Sequence, residues 1–136
     1  MEATIIPAPH PDTWVNLLHG YVAEAVRALA RHEFHVHRSW LDPADPRDAT
    51  IVCSDRDLML ALVWDEESGW RRGSFVDGGQ GRRTVLSQVA YLGGGVLPEP
   101  DALAHRITTR GTAAAPGYRR YGDVHDGLDD ALRRWQ

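Results

Sequence analysis

The stretch LMLALVWDEESGWRRGSFVDGGQGRRTVLSQVAYL, residues 58–92, decides the fold. Leu58 to Trp64 is an unbroken apolar run, which predicts a central strand covered on both faces. Asp65-Glu66-Glu67-Ser68-Gly69 reads as a hairpin loop, with glycine near its end where a positive φ is needed. Trp70–Val76 is the returning strand. Asp77-Gly78-Gly79-Gln80-Gly81 turns the chain again, and Thr84–Leu92 is the last strand. Connections this tight make the strands antiparallel neighbours, because a parallel crossover needs a dozen residues or more.

Working outward, Asp55-Arg56-Asp57 joins this meander to a short strand at Ala49–Cys53. Before it, LDPADPRD (41–48) carries two prolines that exclude regular structure. Phe34–Trp40 alternates, placing Phe34, Val36 and Trp40 on one face and His35, His37 and Ser39 on the other. Residues 1–11 form a loose arm with three prolines. Asp12 or Thr13 caps a helix running to about Arg31, whose apolar stripe is Trp14, Leu18, Tyr21, Val22, Ala25 and Leu29.

On the C-terminal side, Gly93-Gly94-Gly95 leads to Pro98 and Pro100, which can begin a helix but not continue one. Asp101–Thr109 is that helix, with Leu103 and Ile107 inward. Residues 111–121 read as a linker, and Asp123 caps a final helix to Trp135. The expected architecture is α+β: an antiparallel sheet of about five strands, with an N-terminal helix and two C-terminal helices packed on it. The expected organisation is an arm (1–11), one α+β domain (12–110), a linker (111–121) and a C-terminal helix (122–136).

Two segments carry a family resemblance: LMLALVWDEESGW at 58–70 and AYLGGGVLPEPDALA at 90–104. With the preceding amphipathic helix they resemble the actinobacterial domain-of-unknown-function family 6292, over roughly residues 14–110. The resemblance implies a small cytosolic domain and brings no catalytic residues or cofactor with it.

Composition narrows the function. The chain has 136 residues, 43% hydrophobic and 25% charged, with a formal charge of −4. That is a globular profile, and its acidic balance argues against specific nucleic-acid binding. All the basic side chains are arginine, so lysine-dependent chemistry such as a Schiff base or a Walker A loop is excluded. The arginine-, alanine- and glycine-rich usage without lysine fits a high-GC, actinobacterial genome. A lone cysteine, Cys53, forms no internal disulfide. No apolar run approaches the ~20 residues that span a bilayer. A cytoplasmic protein with no membrane association is expected.

Individual constellations point weakly to chemistry. His32, His35 and His37 are the densest set of metal-ligand types, yet no H-E-x-x-H pattern or cysteine pair accompanies them. No metal and no cofactor are expected, with these three histidines as the candidates should one bind. Asp42, Asp45 and Asp48 lack the glycine and alternation of a calcium loop and read as solvated turn carboxylates. Asp65, Glu66 and Glu67 sit at a hairpin tip, where a raised pKa is hard to obtain. The triple glycine resembles an anion cradle, but the prolines after it remove donors. Cys53 reads as inert filler in a strand, and Ser87 has no triad spacing.

What remains is a surface reading. Trp64 and Trp70 flank the hairpin as a cross-strand pair. They serve either to stabilise it or, exposed, as a recognition patch. Arg71-Arg72 and Arg82-Arg83 could hold an anion, but only one arginine of each pair can face a given side. Leu128, Leu132 and Trp135 form the stripe of the last helix, which must be buried somewhere. These residues make Trp64, Trp70, Arg72, Arg83, Leu128, Leu132 and Trp135 the expected interaction surface. The expected function is a non-catalytic accessory domain binding another protein, or itself as a homodimer through the C-terminal helix. The alternative is a small-molecule-binding domain or enzyme with its site between the sheet and the helices.

Overall fold

The computed structural model describes residues 5–42, 46–56, 58–79, 82–109, 111–120, 122 and 125–136. Asp45, Asp57, Gln80, Gly81 and Asp123, named above, lie outside them. A 3-10 turn (Val15–Leu18) runs into α1 (His19–Arg31). Asp12 Oδ1 accepts the Trp14 and Val15 backbone N–H groups, so the aspartate is the cap its position suggests. Then follow β1 (His35–Leu41), β2 (Asp48–Asp55), β3 (Leu58–Asp65), β4 (Gly69–Gly79) and β5 (Arg82–Tyr91). The helices α2 (Pro100–Arg106) and α3 (Leu128–Arg133) close the chain. The strands form one sheet in sequence order, β1-β2-β3-β4-β5, and every pair is antiparallel. This is the α+β arrangement read from the meander.

One face of the sheet carries the main core. Leu18, Tyr21, Val22, Ala25 and Leu29 pack there with Val36, Ile51, Cys53, Leu60, Leu62, Trp64 and Trp70. The expected stripe is therefore the buried one from Leu18 onward, whereas Trp14 is half-buried beneath Arg47 and outside the core. The opposite face has a smaller core: Trp40, Val52 and Ala61, with Phe75 and Leu86 packed against them. The distal β4–β5 hairpin supplies Phe75 and Leu86 by curling back across β1–β3. That curl covers the second face of β3, whose continuous apolarity predicted cover on both sides.

In β1, alternation fails at one point. A bulge at His37, between the Val36–Cys53 and Arg38–Val52 pairs, flips the face of everything after it. Val36 points to the helices while Trp40 belongs to the second core. Strict period-two reading had put both on one face.

The C-terminal segment is bound to its own domain. Leu128 and Leu132 are buried, and the Trp135 ring lies 5.7 Å from that of Tyr21. Thr112 bridges Tyr91, and the Tyr118 N–H donates to the Glu67 carbonyl. The segment read as a linker is thus held to the sheet at Thr112 and to the hairpin at Tyr118. Helix α3 is shorter than its stripe suggested, with Gly127 in the left-handed region at its start. Leu128 and Leu132 of the expected stripe are thus buried against the same chain.

Gly20 shows why the docking is close. A Cβ there would lie 2.3 Å from the Trp135 carbonyl oxygen. A methyl group must push the chain end away, and such overpacking costs about 1–3 kcal/mol. Gly20→Ala should therefore lower stability by that amount in urea denaturation, although alanine favours the helix. Equal or higher stability would show that the terminus does not pack there. Among the described residues no helix is long and apolar enough to cross a membrane.

Candidate functional site

The hairpin 65–69 folds as its residues dictate. Asp65 Oδ1 accepts the Glu67 and Ser68 N–H groups at 2.8 and 2.7 Å, and Gly69 has φ +71. Trp64 and Trp70 face each other across it. Both are wholly buried, so the recognition-patch reading is corrected. Their polar edges are used internally. Trp64 Nε1 donates to the Val96 carbonyl at 2.6 Å, and Trp70 Nε1 to the Tyr21 hydroxyl at 3.1 Å. Tyr21 in turn donates to the Pro98 carbonyl at 2.6 Å. Burial pushes the Tyr21 phenol up, out of reach of ordinary pH.

Glu66 is not on a solvated tip. It is fully buried, and so is Arg47. Glu66 accepts Arg47 Nε and Nη2, each at 3.1 Å, and Arg119 Nη1 at 2.9 Å. Arg47 also reaches Asp129 at 2.7 Å and lies 4.2 Å over the Trp14 ring. This network joins the N-terminal turn, the hairpin and the C-terminal segment.

The four arginines of β4 and β5 divide between structures. Arg71 pairs with Asp65 at 2.8 Å, Arg82 with Asp77 at 3.5 Å and Arg83 with Asp48 at 2.7 Å. Arg72 instead donates Nη1 to the Ile107 and Thr109 carbonyls, at 2.6 and 2.7 Å. Arg72 and Arg83, expected to share a patch, are on different sides. Bulges in the β4–β5 ladder shift its register and undo the simple alternation.

Arg71 and Arg83 frame a polar cavity of about 370 Å³, lined also by Asp48, Asp65, Glu67, Ser68, Thr84 and Tyr91. Beneath it lies a buried carboxyl pair. Asp42 accepts Trp40 Nε1 at 2.8 Å and the Thr50 hydroxyl at 3.1 Å. Burial, then the charge of Asp48, pushes Asp42 up to about 7. Burial pushes Asp48 up to about 6 against the pull of Arg83 and Arg71. Asp48 Oδ1 has no hydrogen-bond partner. The reading of Asp42 and Asp48 as solvated turn carboxylates is thus corrected, since both are buried.

The second cavity opens where the sheet splits. Pairing of β3 with β4 ends at Ala61–Gly73, so Leu58–Leu60 lie beyond the last pair and β4 leaves with β5. Gly73 sits at the parting, where a Cβ would be 2.7 Å from the Ser87 carbonyl oxygen. Opposite it, Gln88 and Val89 together face Gly73 in a bulge, and Gln88 has φ +55. The resulting wedge holds about 340 Å³ and is lined by Met59, Leu60, Arg72, Gly73, Ser74, Gln88, Ile107 and Thr108. It lies between the sheet and the end of α2.

The histidines are separated. His35 and His37 stack edge to face at 4.5 Å, and His37 Nε2 contacts Ser54 Oγ at 2.8 Å. His32 instead meets Asp101 at 3.2 Å and His105 at 5.0 Å between ring centres. Among the described residues no group of three or more His, Cys, Asp or Glu side chains is placed to hold a metal ion. At the triple glycine, Arg106 lies beside Gly94 and donates to the Leu92 carbonyl at 3.1 Å. Cys53 is buried, and its thiol is pushed up to about 12.

A family model described as a family of unknown function (DUF6292) matches residues 21–109. The chain belongs to the DUF6292 family. The matched region covers α1 from Tyr21, all five strands and α2, and it contains both cavities. The C-terminal helix of this DUF6292 protein and the Arg119 arm of the buried network lie outside it. No curated protein and no solved structure matches the chain.

Proposed function

We propose that the protein is a non-catalytic binding domain that takes a small molecule into the wedge between β3, β4 and the end of α2. The observation that carries this reading is the open parting of the sheet at Gly73, with Gln88 held beside it in a left-handed conformation. A non-glycine residue at positive φ costs about 1–2 kcal/mol. Such strain concentrates at sites that hold ligands. The wedge's volume of about 340 Å³ fits the usual range for small-molecule pockets.

The chemistry available supports binding rather than turnover. Of the groups with strongly raised pKa values, Tyr21, Asp42 and Cys53 are wholly buried and none lines the wedge, while Asp48 lines only the polar cavity, where Arg83 pairs with it. Trp64, Trp70, Leu128 and Leu132 are interior, which favours the wedge over those four side chains as the place of binding.

The reading is tested by screening a fragment library against the labelled protein by amide NMR. Fragments should shift Met59, Gly73, Ser74, Gln88 and Thr108 together. Ser74→Trp, which fills an exposed position on the wedge wall, should abolish those shifts while the remaining spectrum stays folded. Fragment shifts confined to other surfaces would remove the proposal.

A further inference from the structure

We infer that the wedge's ligand is a small monocarboxylate with an apolar body, bound by the free edge of Arg72. This rests on the proposal that the wedge is a binding site, and it names what the wedge selects. Arginine carries five N–H donors. In Arg72 both protons of Nη1 are spent on the Ile107 and Thr109 carbonyls, which fixes the guanidinium plane. Nε and Nη2 have no hydrogen-bond partner among the described residues. Those two nitrogens form the side-on edge that receives both oxygens of one carboxylate in parallel.

Charge points the same way. Arg27, Arg31, Arg47, Arg71, Arg82, Arg83, Arg119 and Arg133 all pair with acidic side chains. Arg72 makes no ion pair among the described residues and is held only by neutral carbonyls. Arg38, Arg56, Arg106 and Arg134 also lack an acidic partner among the described residues, but of these arginines Arg72 is the one that lines the wedge, where its charge can meet a ligand. One guanidinium matches one negative charge. A dianionic phosphate would set its second charge near the Ile107 and Thr109 carbonyl oxygens, at the negative end of α2.

The remaining walls specify the body of the ligand. Met59, Leu60 and Ile107 are apolar, and Ser74, Gln88 and Thr108 are uncharged. No second charged side chain lines the wedge among the described residues. Met59 is 56% exposed, a flexible thioether available to close over an apolar chain. The polar cavity of Asp48, Asp65, Arg71 and Arg83 offers no comparable edge, because its arginines are already paired with carboxylates.

The experiment titrates the wild-type chain with octanoate, octan-1-ol, octylamine and octyl phosphate at neutral pH, following amide shifts. Octanoate should bind at the wedge residues at least tenfold more tightly than the alcohol, amine or phosphate. Arg72→Gln should weaken octanoate at least tenfold and leave octan-1-ol within about twofold. Lowering the pH until octanoate protonates should have the same effect as the substitution, on the unaltered protein. If the alcohol or amine binds the wedge as well as octanoate, the carboxylate assignment is wrong while the binding site stands. Tighter binding of octyl phosphate also overturns the assignment. If none of the four moves the wedge and the fragment screen is silent there too, both the assignment and the site fall.

Discussion

Glu66→Ala should destabilise the protein by about 3–5 kcal/mol, the range seen when one partner of a buried ion pair is removed. Glu66 holds two arginines, and Arg47 is only 1% exposed. Truncation leaves the Arg47 guanidinium in the interior with Asp129, the Trp14 carbonyl and the Trp14 ring. Arg119 keeps Asp126 and the Glu66 backbone carbonyl but loses the Glu66 carboxylate. The cost arises from stranding the charge rather than from the bridge's own net worth. Exchanging both partners, as in Arg47→Met with Glu66→Leu, should accordingly recover most of the loss. Urea denaturation of the two variants checks this. A loss below about 1 kcal/mol in Glu66→Ala would mean that water reaches Arg47.

The second large effect concerns pH. The Asp42 N–H donates to the Asp48 carbonyl, and both carboxyls titrate above their ordinary value of 3.8, at about 7 and about 6. A raised folded pKa means that the native state keeps a proton the unfolded chain has released. The associated stability is fully present below about pH 4 and is lost as pH rises through the folded values. Each retained proton contributes a slope of up to about 1.4 kcal/mol per pH unit in that window. The groups facing the pair are Asp65 from β3, Arg71 from β4 and Arg83 from β5; the arginines limit the rise and Asp65 adds to it. Asp42→Asn removes one titration and, with it, the repulsion between the two carboxylates. This variant should be more stable than the parent at pH 8 and flatter between pH 5 and 7. Thermal unfolding across that range is the measurement, and an unchanged slope would refute the assignment.

The fold was readable because its signals are local. Tight turns at 65–69 and 77–81 imposed antiparallel neighbours, and the three-four spacing in α1 named the buried face before the sheet was seen. Faces were legible only until the first bulge. At His37 and around Gly73 an extra residue reverses in from out, and nothing in residue type announces it. The site suffered most from this. Arg72 was singled out, but its assignment to a patch with Arg83 assumed an unbroken ladder. Gln88 carried no sequence signal, since a left-handed glutamine resembles any other strand residue. Glu66 was missed because hairpin acids are usually solvated. Its partners Arg47 and Arg119 are 19 and 53 residues away, a separation that spacing rules do not reach.

The sequential order of the strands has a kinetic consequence. Each strand pairs with the next, so the sheet can form hairpin by hairpin with little loop-closure entropy to overcome at each step. The contacts of greatest sequence separation are at the ends: Trp135 on Tyr21, Gln136 on the Asn16 and Leu17 carbonyls, and Arg47 on Asp129. These close a loop of nearly the whole chain and are the natural last step of folding. They are equally the first to release. The C-terminal clasp therefore governs how long the native state persists more than how fast it is reached.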